Sequence, residues 1–164
     1  MKLRRLAKLT AIFGAATFYL TLVMIASAGA QQTAPSVVPV KARIASSPAT
    51  VFRSIRNHLT ARFTLTADPA TGKIIAKRSG LDPDTWTTWA YCKVPTQDML
   101  GDMTTSSVVL KITITAARGH SSEVIVGADF QATYSINGQP TPVGCISNDV
   151  LENEILDSAG ARIS

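Results

Sequence analysis

The sequence predicts a single α+β domain in which helices cover one face of one antiparallel β-sheet, with the element order β-α-β-β-β-β-β-α. The strongest support comes from residues 108–116 and 124–136, where apolar and polar side chains alternate over two long runs. Such alternation is typical of antiparallel strands with one buried face. Apolar stripes at helical spacing follow Pro48 and Asp149. Because the apolar face of a sheet must be covered, we expect both helices to pack on it.

The first half of the domain is predicted to begin with a strand within 37–44 and a helix that starts at Pro48. Ser47 can cap the first turn of this helix, and Pro48 has no N–H group to leave unpaired there. The apolar stripe of the helix comprises Val51, Phe52, Ile55 and Leu59. Two strands at 63–67 and 73–78 follow, joined into a hairpin by a turn of Asp, Pro and Gly residues.

The second half is predicted to contain three further strands and a short final helix. The run 86–94 carries Trp and Tyr among Thr residues, which favours a strand, and a loop is expected over 95–102. Residues 137–145 contain Asn-Gly and Pro and are interpreted as a loop. The final helix takes its cap from the run 147–149, and its apolar stripe consists of Leu151, Ile155 and Ala159.

The alternation in the two long strands predicts which side chains point away from the helices. The outward-facing set comprises Lys111, Thr113, Asp129 and Gln131. The inward-facing set comprises Leu110, Ile112, Ala128 and Phe130. A register slip of one residue would exchange the two sets, so the assignment is a strict expectation.

Residues 1–30 have the three regions of a secretory signal peptide. Four basic residues in the first eight positions precede an uncharged apolar run from Leu9 to Ala26, and Ala28-Gly29-Ala30 is a small-residue cleavage site. We expect cleavage after Ala30, with cleavage after Ala28 as the alternative, and an uncleaved membrane anchor as the competing interpretation. The predicted organisation is signal peptide 1–30, flexible leader 31–39 and one domain 40–164, located in the periplasm or secreted.

The formal net charge of +5 belongs mostly to this signal segment. Without its four basic residues, the chain has twelve Lys and Arg against eleven Asp and Glu, a net charge of +1. A nucleic-acid partner is therefore not expected. The charges are still unevenly distributed, since residues 31–78 hold eight basic residues and one acid. Either the two halves compensate each other in the fold, or a polarised surface meets an anionic partner.

Cys92 and Cys145 are the only cysteines, and an even number in an exported chain predicts a disulfide between them. A bond of this span would stabilise the fold by roughly 4 kcal/mol. A zinc site needs more ligands at short spacing than the sequence offers, so no metal is expected. No cofactor is expected either, since the glycine-rich phosphate and dinucleotide motifs are absent.

The sequence predicts no catalytic residues. It contains no nucleophile elbow and no zinc-protease motif. His58 lies at the border of the first helix's apolar face, where a half-buried structural role is expected, and His120 lies in a turn. Asp129 has no second carboxylate at a defined spacing, so paired-carboxylate chemistry has no support.

The best candidates for a binding surface are aromatic and basic residues: Trp86, Trp89, Tyr91, Arg53 and Arg56. Trp and Tyr are enriched at recognition surfaces, and in a strand Trp89 and Tyr91 would share one face. The alternative is that the aromatic residues fill the core beside Cys92. The two arginines are expected either to meet an anionic partner or to form a solvated helix face.

The segment Ala42–Phe52 leads from a strand into the Ser-Pro helix start and places an aromatic residue on the helix's buried face. This run resembles the opening of helix-grip domains of the START-like superfamily, and the later long hairpin and closing helix follow the same order. The layout is also similar to that of small periplasmic lipoprotein domains such as component C of the outer-membrane barrel-assembly machinery. The full helix-grip pattern has a longer final helix and one more strand than this sequence offers, so the resemblance does not extend to a ligand cavity.

Three functions follow from these observations, in order of preference. The first is a non-enzymatic domain that binds a protein or another envelope component. The second is a small carrier that holds an apolar ligand between sheet and helix, and the third is a hydrolase-like enzyme. An apolar pocket would favour the carrier, an exposed flat aromatic patch the first function, and converging titratable groups in a cleft the enzyme.

Overall fold

The structure, a computed structural model, describes residues 37–93 and 102–161. The predicted signal peptide, most of the predicted leader and nearly all of the loop expected at 95–102 lie outside these residues. The elements, in chain order, are β1 (Val40–Ile44), α1 (Pro48–Thr60), β2 (Thr64–Asp68), β3 (Lys73–Ser79), α2 (Pro83–Trp89), β4 (Ala90–Cys92), β5 (Met103–Ala117), β6 (Ser121–Ile136), β7 (Gln139–Ser147) and α3 (Val150–Ser158).

All strands belong to one antiparallel seven-stranded sheet, with the order β2-β3-β5-β6-β7-β4. β1 also pairs with β6, through residues 122–126 of that strand, whereas β7 pairs with residues 130–136. The long strands β5 and β6 form the centre of the sheet, β2 ends it on one side, and the three-residue strand β4 ends it on the other. The predicted α+β class with a single antiparallel sheet is confirmed.

The three helices of the described residues pack on one face of the sheet, which we call the inner face. The inward-facing set predicted for the long strands is buried there, with Leu110 opposite Ala128 and Val108 opposite Phe130. The outward-facing set is exposed or only half-buried, so the predicted assignment of faces is confirmed. α1 lies over β5 and β6, and α3 lies over β6 and β1.

α1 forms as the sequence predicts. The side chain of Ser47 accepts a hydrogen bond from the Thr50 amide, and Pro48 occupies the first turn. The predicted apolar stripe is buried against the sheet: Val51, Phe52, Ile55 and Leu59. The same helix is held to α3 by the Ser54 hydroxyl, which donates to the Ser158 carbonyl at 2.7 Å.

Two of the predicted elements are wrong. The run 86–94 is not one strand, because the helix α2 ends only at Trp89 and β4 covers just Ala90–Cys92. The side chain of Asp82 accepts from the Thr85 amide at 2.8 Å, and Pro83 follows it, so a capped helix start outweighs the strand preference of Thr and Trp.

The second error concerns 137–145, which was expected to be a loop and contains most of β7. Pro140 and Pro142 lie in this strand opposite Ser135 and Thr133. Within the described residues, β4 pairs with Cys145–Ser147 and nothing pairs with that side of the first part of β7, where the missing N–H groups of proline are tolerated. The observed order therefore contains one helix and one strand more than predicted.

Candidate functional site

A groove of about 830 Å³ lies between α1 and the hairpin of β2 and β3, and we call it the α1–β2 groove. Its floor is largely apolar. It comes from β2, the residues beside it, the turn to β3 and strand β5: Phe63, Leu65, Ala67, Pro69, Gly72 and Ile114. Its wall comes from α1: Pro48, Ala49, Phe52, Arg53, Arg56 and Thr60. The volume is in the range of small-molecule and peptide sites, about 300–1,000 Å³.

The floor exists because β2 is an edge strand whose inner face is only partly covered. Leu65 and Ala67 alternate with exposed threonines and point to the inner face, yet both remain half-buried. By contrast, Ile74 and Ala76 on the neighbouring strand β3 are fully buried. The last strand of the sheet thus presents apolar side chains that α1 does not completely shield.

The wall follows from helical periodicity. Ala49, Arg53, Arg56 and Thr60 are spaced by three or four residues and therefore share one side of α1. The core stripe faces the sheet, and His58 on the far side of the helix contacts α3. One helix thus carries a buried face, a face against α3 and a third face that borders the groove.

Arg53 and Arg56 are the charged groups of the groove, and both are exposed. Within residues 37–93 and 102–161, neither guanidinium makes a hydrogen bond or an ion pair. Two free guanidinium groups three residues apart on one helix can bind an anion such as a carboxylate, with several donors each. The groove combines apolar surface with an anion-binding rim.

The five residues predicted as a binding surface do not form one surface. Trp86 is 3 % exposed and Trp89 is 5 % exposed, so both indoles fill the core, the alternative that the sequence left open, and neither belongs to an exposed patch. The reason is α2, which turns both indoles to the inner face. Trp86 packs edge-to-face on Phe130 with ring centroids 5.6 Å apart, and Trp89 stacks on Phe63 at 6.3 Å.

Tyr91 is exposed, with 62 % of its surface accessible, but it lies in β4, at the opposite edge of the sheet from β2 and the groove. It pairs with the exposed Ile146 across β4 and β7. It also does not share a strand face with Trp89, which belongs to α2. Of the predicted set, the structure places only Arg53 and Arg56 together in a concave site.

The two histidines occupy unrelated positions. His58 is half-buried, and its Nε2 lies 3.1 Å from Oε1 of Glu154, which also binds Arg62, so this cluster bridges α1 and α3. His120 is an exposed turn residue with a φ of 53°. Asp129 lies half-buried on the outer face of β6. The expected half-buried position of His58 and the turn position of His120 are confirmed.

Glu152 is a buried carboxyl group that the sequence does not reveal. The side chain on α3 is 0 % exposed, its Oε2 accepts from the Ser147 hydroxyl at 2.8 Å, and its Oε1 has no partner in the described part of the chain. Burial raises the pKa of this carboxyl group, and the nearby Asp149 adds to the rise, against the lowering effect of the Ser147 hydrogen bond. A glutamate in a first helical turn is ordinarily solvated, and so its position gave no signal of burial.

Sequence reasoning identified the arginines of the groove but missed its floor. The alternation of Phe63, Leu65 and Ala67 predicts a strand but does not reveal that its inner face stays partly uncovered. Among the described residues, no group of three or more His, Cys, Asp or Glu side chains is placed to hold a metal ion, and no helix is long and apolar enough to cross a membrane.

Comparisons with known proteins find weak structural similarity to solved structures and no match in sequence. No protein-family model matches the chain, and no curated protein matches it. Among solved structures, a TBP-like protein from Parabacteroides distasonis is 11 % identical, with a TM-score of 0.41 over 77 % of this chain and 95 % of that one. A DUF4468 family protein from Bacteroides ovatus is 16 % identical, with a TM-score of 0.36 over 66 % of this chain and 64 % of that one. The resemblances to helix-grip domains and to the barrel-assembly component remain expectations from the sequence.

Proposed function

We propose that this chain is an exported, non-enzymatic binding domain whose ligand occupies the α1–β2 groove. The observation that carries the proposal is the pairing of a half-buried apolar floor, Leu65 and Ala67, with two free guanidinium groups on the opposite wall. The ligand class follows from this pairing. It is part of a protein or of another envelope component that presents both apolar and anionic groups, because each kind of group finds its complement in the groove.

Export is supported by two independent features. The first thirty residues have the charged, apolar and small-residue regions of a signal peptide. The described domain carries a disulfide between Cys92 and Cys145, and such bonds persist in the periplasm and outside the cell. We therefore propose that the domain acts in an oxidising compartment, on ligands available there.

A second candidate, a carrier of a small apolar ligand such as a fatty acid, is favoured by one specific observation. The groove lies between α1 and the sheet, which is where a carrier of this kind would hold its apolar ligand. The burial of Trp86 and Trp89 counts against recognition through a flat aromatic patch. Both candidates use the same groove and differ in its occupant.

The proposal is tested with anilinonaphthalene sulfonate, a probe that has an apolar body and one anionic group. We expect the oxidised chain starting at Gln31 to bind it saturably, with NMR shifts concentrated at the methyl groups of Leu65, Ala67 and Ile114. Replacing both arginines, in Arg53→Gln with Arg56→Gln, should weaken binding severalfold, since the free guanidinium groups supply the anion contact.

The matched control removes two charges elsewhere. Lys41→Gln with Lys77→Gln changes two exposed lysines on the outer face of the sheet and should leave probe binding unchanged. Absence of saturable binding, shifts centred outside the groove, or equal effects of the arginine and lysine pairs would each refute the proposed site.

A further inference from the structure

The edge of β2 that faces away from β3 indicates which kind of ligand the groove can bind. β2 pairs with β3 alone, over five residues in a regular register from Thr64–Lys77 to Asp68–Lys73. In an antiparallel pair, alternate residues point their N–H and C=O groups away from the partner strand. Along the described chain nothing pairs with that side of β2, so it offers a row of backbone donors and acceptors.

Other open edges of this sheet are protected, and that of β2 is not. β4 has only three residues and is followed by the exposed Lys93, and the open part of β7 carries Pro140 and Pro142. Short strands, lysines and prolines are the usual means by which natural sheets prevent further pairing. β2 has five residues and is followed by Pro69, but the strand itself contains no lysine, no proline and no bulge. An unprotected edge directly at the floor of a groove is the arrangement of proteins that bind peptides by strand addition.

The residues of the groove determine which side chains an added strand would need. A strand added to β2 would lie about 4.8 Å from it, and every second side chain would point to the inner face, beside Leu65 and Ala67 and below α1. Arg53 and Arg56 on that helix can bind an acidic side chain among these inward positions. The outward positions would lie beside the exposed Thr64 and Thr66, where threonine is a good cross-strand neighbour.

We infer that the α1–β2 groove binds an extended peptide segment with apolar and acidic side chains on one face, which joins the sheet at the edge of β2. The inference rests on the proposed function, since it requires the groove to be the binding site. A fatty acyl chain would use the floor and the arginines but leave the backbone groups of β2 unpaired. A second copy of this chain is disfavoured, because edge-to-edge pairing would bring its Arg53 and Arg56 towards the same edge as the first pair.

The test uses the oxidised chain from Gln31 and the acetylated, amidated peptide Thr-Val-Thr-Glu-Thr-Val-Thr, which places Val, Glu and Val on one face. We expect the peptide to slow amide hydrogen exchange at alternate residues of Thr64–Asp68. Arg53→Gln or Arg56→Gln, or Gln in place of the peptide's Glu, should each weaken binding by up to about fivefold, the scale of an exposed ion pair. N-methylation of one alternate set of peptide amides should abolish binding, whereas methylation of the other set should not.

The outcomes separate this inference from the proposed function. If the anionic probe binds the groove but the peptide, at millimolar concentration, gives no protection of β2, the inference is overturned and the groove remains a site for small apolar anions such as laurate. If protection appears at β4 instead, or if the chain alone sediments as a dimer paired through β2, the inference is also overturned. If neither the probe nor the peptide binds, the proposed function fails with it.

Discussion

Removal of the disulfide should cost the domain much of its stability. Cys92 and Cys145 face each other in the register of β4 and β7, with Cα atoms 4.2 Å apart, within the limit of about 7 Å that a disulfide requires. The bond closes a loop of 53 residues, which in the chain-entropy model corresponds to about 4 kcal/mol. The free energy of unfolding of such domains is about 5–15 kcal/mol, so the loss would be a large fraction of the total stability.

The effect should be largest where the bond is. β4 has three strand pairs, all with β7, and the turn into α3 is tied to α2 by the Asn148 amide, which donates to the Trp89 carbonyl at 2.9 Å. Without the covalent link, β4 and the start of α3 should lose amide protection before β5 and β6 do. α3 has nine residues, and isolated helices of that length are marginal in water.

The measurement is urea unfolding of the oxidised chain from Gln31 against the double variant Cys92→Ala with Cys145→Ala. We expect the free energy of unfolding to fall by about 4 kcal/mol, with about 2–5 kcal/mol as the range known for native disulfides. Reductant should shift the midpoint of the native chain but not that of the variant, which controls for effects of the reductant itself. An unchanged free energy, or two titratable thiols in the native exported protein, would refute this account.

Three further predictions concern single positions. Burial raises the pKa of Glu152 above the ordinary 4.5, so its contribution to stability is fully present below that pH and is lost as the pH rises through the raised value. Glu152→Gln should therefore flatten this part of the curve of unfolding free energy against pH and stabilise the domain at neutral pH, and an unchanged curve would contradict it. Gly72→Ala should destabilise by at least about 2 kcal/mol, because φ is +66° and the new Cβ would lie 2.2 Å from the Ile114 carbonyl oxygen. Gly119→Ala, with φ of +71° and open space around it, should lose only about 1 kcal/mol in the same urea assay. The intact mass of the exported protein should correspond to a chain starting at Gln31, or at Gly29 in the alternative, and recovery of only the full-length chain in membranes would exclude a cleaved signal.

The sequence predicts those elements in which the capping and turn residues and the apolar pattern favour the same secondary structure. The Ser47-Pro48 start and the apolar stripe of α1 both demand a helix, and the alternation of β5 and β6 demands two-faced strands. α2 was missed because Thr and Trp favour strands, while the cap at Asp82 that decides the helix is a single local contact. β7 was missed because a proline is tolerated only on an open edge, and which edges are open is a property of the whole sheet.

The site was harder to predict than the fold for a related reason. Arg53 and Arg56 were visible as a basic helix face, but a groove depends on how far α1 covers the last strand, which periodicity does not encode. Leu65 and Ala67 have the pattern of ordinary core residues and become a floor only because β2 lies at the end of the sheet. The burial of Glu152 could not be predicted for the same reason, since it depends on how α3 packs against the sheet.

Stability and binding should be separable in this protein, because they depend on opposite ends of the sheet. The disulfide anchors β4, while the groove lies at β2 and is bordered by α1. On its other side, α1 contacts α3 through the pair of His58 and Glu154. Glu154 also binds Arg62, which lies over the ring of Phe63 in the groove floor at 5.9 Å.

Glu154→Gln should therefore weaken binding of the anionic probe severalfold and change the free energy of unfolding by less than about 1 kcal/mol, since the pair is partly exposed. The Cys92→Ala, Cys145→Ala variant should show the reverse, a large loss of stability with native probe affinity in the absence of urea. Measuring both quantities on both variants gives a crossed comparison. If the two variants lose affinity in proportion to their loss of stability, the groove is not an independently positioned site, and binding reports only the fraction of folded chain.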